Sequence, residues 1–153
     1  MDVSLTFNWH DTQVSLDGAL AAAPAQPGHA VVSARLPLLA DLTVAENIAL
    51  PRTYFLNVNA TLAQLQGHDL ASRLLPADRA HAYPNELSLV ETFAVLWLRA
   101  VALPGQVVVL DSPLSSFDLS ESALRECAAR CHGLYRYAIV HERRAQTSWG
   151  ATA

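Results

Sequence analysis

From Ser88 to Asp118 the chain of 153 residues dictates an order of elements that few folds accept. Ser88 with Glu91 three residues later forms S-x-x-E, a capping box, and opens a helix that runs to about Ala102. That helix has few polar positions, so it belongs in a core. Pro104 and Gly105 turn the chain. Val107 to Leu110 is then an unbroken apolar run that stops at Asp111, the pattern of a strand buried on both faces with a carboxylate at its end. Helix, turn and buried strand in this order predict an α/β domain with a mostly parallel sheet, helices on its faces.

The length predicts a single domain over residues 1–153 with a real core. An apolar fraction of 52% and a charged fraction of 16% exclude disorder. A net charge of -4 leaves no basic footprint for nucleic acid. The N-terminus lacks a basic region followed by an apolar core, so no signal peptide is expected. The most apolar stretch, Leu87 to Leu103, carries Glu91 and Arg99 and falls short of the ~20 residues of a membrane span. A cytoplasmic protein is the expectation.

One count excludes a class of chemistry. The chain has ten arginines and no lysine, and no two of its six glycines have the spacing of G-x-x-x-x-G-K-[ST] or G-x-G-x-x-G. Neither phosphate-cradling loop is encoded. Cys127, Cys131 and His132 allow a metal pair, but with only two cysteines buried or free thiols are the expectation, and helical spacing argues against a disulfide.

Taken in order, Val3 to Trp9 alternates as a half-buried strand, Gln13 to Leu16 reads as a second, and Asp17-Gly18 as a turn. Ala19 to Gly28 reads as a surface loop and His29 to Ala34 as a short strand. Thr43 and Glu46 form a capping box for a short helix that Pro51 ends. Val58 to Gln66 and Asp69 to Leu75 read as two helices broken at Gly67. Asp118, with Glu121 at the capping-box position, reads as the N-cap of a helix ending before Gly133, and Tyr135 to Val140 as a strand. His10, His68 and His81 have no metal spacing and read as solvated.

The spacing from Leu87 to Asp118 resembles the ATPase domain of ABC transporters, from its signature sequence through Walker B to the D-loop. Leu87-Ser88-Leu89-Val90-Glu91 stands at LSGGQ, Asp111-Ser112-Pro113 at Asp-Glu-Pro, and Ser115-Ser116-Phe117-Asp118 at Ser-Ala-Leu-Asp, with no gap. Leu36 to Pro51 resembles the family's segment after the Q-loop, and His141 stands where the family places its switch histidine. Val14 to Gly18 is similar to a strand and turn that follow the P-loop, which would take the chain from its first strand to a later one; a plain hairpin is the alternative.

The resemblance implies a truncated P-loop NTPase-like three-layer domain, short at both ends, with a helical lobe over about residues 43–86 that docks onto a membrane subunit. It also implies that Asp111 holds magnesium through water and that Ser88 and Asp118 contact nucleotide. Arg99, the one cation of its helix, reads as structural, pairing with a nearby carboxylate. Several of these positions depart from the family. Leu89 and Val90 replace the glycines whose backbone N–H groups approach a phosphate. Ser112 replaces the catalytic glutamate and cannot act as a base at neutral pH, and no glutamine stands near Ala34 for the Q-loop.

The leading expectation is therefore a pseudo-ATPase without cofactor, at the inner face of the cell membrane. Its partners would be a transmembrane permease subunit or an intact ABC ATPase, with a homodimer as a further expectation. A second expectation is an ATP-binding subunit, with magnesium, completing a composite site. A third, from another class, is a hydrolase using Ser112, His141 and an aspartate, with Ser112 and His141 at strand C-termini, although Asp-Ser-Pro is not the G-x-S-x-G elbow.

Overall fold

A computed structural model describes residues 5–22 and 28–144. Four strands, β1 Leu5–His10, β2 His29–Val32, β3 Gln106–Asp111 and β4 Tyr135–Arg143, form one parallel sheet in the order β1-β4-β3-β2. The central strand β3 is buried along Val107 to Asp111, as its continuous apolar run requires. Helix α1 spans Gln13–Ala22, α2 Val44–Phe55, α3 Ala60–Ala71, α4 Leu89–Val101, α5 Pro113–Ser116 and α6 Glu121–Arg130. Val108, Leu110, Ala138 and Val140 point to one face of the sheet and join α4 and α6 in a core centred on Trp97 and Phe93. The opposite face carries Asp111 and His141 and is where α1 ties to the sheet through Ser15 and His10.

The capping boxes form as read. Thr43 and Glu46 bond reciprocally at the start of α2, at 3.2 and 3.0 Å, and Ser88 and Glu91 do so at α4, at 3.1 and 3.0 Å. Arg79 grips the Glu91 carboxylate through Nε and Nη2, at 2.9 and 3.1 Å. The backbone bond from Ser88 and the guanidinium of Arg79 hold the Glu91 carboxyl below its usual range. The helical lobe does not stand apart, since Ile48 and Leu70 belong to the same buried cluster as Trp97 and Val108.

Several local expectations are corrected. Gln13 to Leu16 is not a strand but the first turn of α1. Thr12 accepts the Ser15 N–H at 3.1 Å, Gln13 bonds Asp17 at 2.8 Å, and Leu16 with Leu20 makes the helical stripe that a four-residue window cannot show. The helix also takes Asp17, Gly18 and Ala19 to Ala22 out of the expected turn and loop; residues 23–27 and the start of the first expected strand lie outside the described residues.

Pro51 does not end α2, which runs on to Phe55. Its missing N–H costs one bond, while Arg52 ties the last turn to Gln66 of α3 at 2.9 Å. Gly67 is no break. It lies inside α3, where a Cβ would run into the Ala45 carbonyl, so glycine is there for close approach of two helices. Asp118 is not the cap of α6; it turns the chain at φ 53, and Ser120 caps instead, accepting the Ala123 N–H at 3.1 Å.

Among the described residues Arg99 pairs with no carboxylate. Its guanidinium donates to the carbonyls of Leu36 at 2.8 Å and Pro37 at 3.2 Å, fixing the segment after β2, and burial lowers its pKa.

Candidate functional site

Asp111 ends β3 with its carboxylate buried and fully engaged. Ser33, one residue beyond β2, donates its hydroxyl to Oδ2 at 2.6 Å, and Ser112 donates to Oδ1 at 2.9 Å. Ser112 sits in the left-handed region at φ 49, the turn by which the chain leaves the strand, and its N–H continues the sheet ladder to the His141 carbonyl at 2.7 Å. The hydroxyl of Ser112 is thus turned to a carboxylate and not to an imidazole. The Ser112 and His141 of the hydrolase expectation meet through their main chains.

His141 has a different partner. Its Nδ1 lies 2.9 Å from Nε2 of His10, and Nδ1 of His10 lies 2.7 Å from Oγ of Ser15 in α1. The expectation that His10 is a solvated side chain is therefore corrected. A strand-end histidine finds its partner across the sheet, 131 residues away, where no local pattern registers it. His68 and His81 likewise face each other, ring centres 4.8 Å apart. Burial, and then the adjacent His10, hold the His141 pKa below its ordinary value.

The link from β1 to α1 is only Asp11 and Thr12. Strand, turn and helix follow one another as in a P-loop unit. A phosphate cradle, however, needs the run G-x-x-x-x-G-K-[ST], whose successive N–H groups wrap the anion. Two residues cannot make that concavity, and the His10 ring bridges the gap between α1 and β4.

A cleft of about 810 Å³ opens along this edge, walled by Trp9, Gln13, Arg35, Asp111, Glu142 and Arg143. Glu142 is the residue that sequence reasoning missed. It is buried, and its carboxylate accepts the Leu114 N–H at 3.0 Å and the Ser115 hydroxyl at 2.6 Å, which anchors the short helix α5 behind Asp111. The available signal was a second acid one residue after a strand-end histidine.

Ser88 and Asp118 do not line this cleft. Leu89 and Val90 stand exposed over the opening turn of α4. Cys127 and Cys131 are free thiols, the first pushed up to about 11 by burial. Among the described residues no group of three or more His, Cys, Asp or Glu side chains is placed to hold a metal ion.

A parallel sheet ordered β1-β4-β3-β2, with a strand–turn–helix unit at one edge and a buried aspartate at the end of β3, makes an α/β domain whose fold is similar to that of ATP-binding cassettes. Two solved structures carry the comparison. The chain is similar to a dimeric post-hydrolysis state of the ATP-binding cassette MJ0796 bound to ADP and Pi. The identity is 19% and the TM-score 0.60, covering 81% of this chain and 56% of that one. It is also similar to dimeric MJ0796, described as a bacterial ABC transporter cassette, with 21% identity and a TM-score of 0.56 over 73% and 50% of the two chains. This chain therefore spans about half the length of those cassettes. No family model and no curated protein matches the sequence. Among the described residues no helix is long and apolar enough to cross a membrane.

Proposed function

We propose that the chain is a noncatalytic relative of the ABC transporter ATP-binding subunit, a pseudo-ATPase that works by association. The observation that carries this is the two-residue link between β1 and α1, which leaves no cradle for a phosphate in a chain that has no lysine to neutralise one. Ser112 in place of a glutamate supports the same conclusion, since a hydroxyl, here turned to Asp111, cannot act as the base that activates an attacking water. The exposed Leu89 and Val90 at the start of α4 count against a composite nucleotide site shared with an intact ATPase. Magnesium at Asp111 would have to compete with the two hydroxyls already bound there.

Association is supported by the end of α2, where Tyr54 and Phe55 are 80% and 76% exposed and Leu56 continues the apolar surface. The partner we propose is a permease subunit or an intact ABC ATPase at the inner face of the membrane.

Titrating the purified protein with Mg-ATP to millimolar concentration should give no heat and no thermal shift; saturable binding would overturn the noncatalytic assignment. Tagged protein from its native host should recover a membrane permease or an ATPase, and recovery of the chain alone would remove the transporter role.

A further inference from the structure

Helix α1 buries little against the rest of the fold. Leu16 is its one buried side chain, Ala19 and Leu20 are half-buried, and every other position from Gln13 to Ala22 is exposed. The Asp17 carboxylate meets the Arg35 guanidinium at 3.5 Å with both side chains open to solvent, a pair that holds weakly. The stronger polar tie is the chain Ser15–His10–His141, with links of 2.7 and 2.9 Å, which joins α1 to the ends of β1 and β4. A segment with so few apolar contacts opens before the core does, so one hydrogen-bonded tie sets how often it opens.

That tie depends on the number of protons in it. At 2.9 Å, the contact between Nε2 of His10 and Nδ1 of His141 takes one hydrogen. With both rings neutral, one supplies the N–H and the other the lone pair. One added proton is tolerated, because an imidazolium donates to a neutral ring. A second leaves two N–H groups face to face without an acceptor, on two like charges. The pair therefore titrates as a unit, in two steps with opposite consequences.

The surrounding groups do not relieve the second step. Burial, and then His10 itself, hold the His141 pKa down; Asp111 at the end of β3 acts the other way and does not outweigh them. Asp17, the one titratable side chain of α1, faces Arg35. Asp11 in the link is paired with Arg144 at 2.9 Å, Glu142 turns to Leu114 and Ser115 of α5, and Arg143 lines the cleft. Among the described residues no carboxylate is hydrogen-bonded to either ring.

We propose that Ser15, His10 and His141 form a proton-counting latch on α1, which keeps the helix seated while the two rings share at most one added proton and releases it when they carry two. Release takes away the wall of the cleft that Gln13 and Leu16 provide. Acid thus opens the cleft while the core stays folded. The latch uses no nucleotide and stands independently of the function proposed above.

Amide hydrogen exchange followed residue by residue, and normalised to the intrinsic rate at each pH, tests it. Between about pH 7.5 and about pH 5, protection of the amides from Leu16 to Ala22 should fall at least about tenfold while that of α4 and β3 holds. His141→Gln keeps an amide for His10 to bond and does not titrate, so α1 should stay protected at the lower pH. Ser15→Ala unhooks the helix, and α1 should exchange at least about tenfold faster at the higher pH as well. Circular dichroism and melting curves matching those of the native chain at neutral pH establish that both variants fold. Protection of α1 that is indifferent to acid, that is lost together with α4, that falls as far in His141→Gln as in the native chain, or that survives Ser15→Ala at the higher pH would each overturn the proposal.

Discussion

At the scale of single residues, the buried carboxylate of Asp111 accepts from two hydroxyl donors, and removing it leaves the O–H of Ser33, itself buried, without its acceptor. Asp111→Ala should cost about 2–3 kcal/mol in urea unfolding, the penalty of losing a buried acceptor and stranding its donors. Asp111→Asn, which keeps the shape and one acceptor, should cost about 1 kcal/mol. His141 gives the matching prediction in pH. Its folded pKa lies below the ordinary 6.5, so the unfolded chain binds the proton more readily. The contribution is complete above pH 6.5 and is lost as pH falls through that value toward the folded pKa. His141→Gln should flatten the acid side of the stability–pH curve, and an unchanged slope would assign the effect to another group.

At the scale of elements, local chemistry was legible and contact across the sheet was not. The caps at Thr43 and Ser88 need only residues three apart, and both formed; β3 needed only its own apolar run. The helix at Gln13 was missed because four alternating residues satisfy both periods until Leu20 is counted. The pairs His10–His141 and Glu142–Ser115 join residues distant in sequence, so no window contains them. Gly67 shows how the same residue type misleads: glycine breaks helices by propensity, but here it serves contact between α2 and α3. Gly67→Ala should therefore destabilise by about 1–3 kcal/mol although alanine favours the helix by about 1 kcal/mol, because the overlap with the Ala45 backbone exceeds the propensity gain. A thermal melt shifted upward would show that the helices separate freely.

At the scale of the whole molecule, the apolar side chains of the lobe and of the sheet make one buried cluster from Ile48 and Leu70 through Trp97 to Val140. A core shared in this way predicts a single cooperative transition, with far-ultraviolet dichroism and the fluorescence of buried Trp97 changing together in urea. Separate midpoints would mean that residues 43–86 form a unit of their own. That β2, β3 and β4 run parallel was readable from three apolar runs, each joined to the next through helix; their order in the sheet was not. The place of β1 was not, since an alternating strand near a chain start is compatible with a hairpin, and only its pairing with β4 decides.

The short passage from β1 into α1 bears on what protein engineering could do with this scaffold. Lysine at Gln13, glycines at Leu89 and Val90 and glutamate at Ser112 would rebuild an active-site alphabet while leaving the chain too short to spell it. A deficit of length is repaired by insertion between Asp11 and Gln13, and no set of point substitutions, however well chosen, supplies the missing residues.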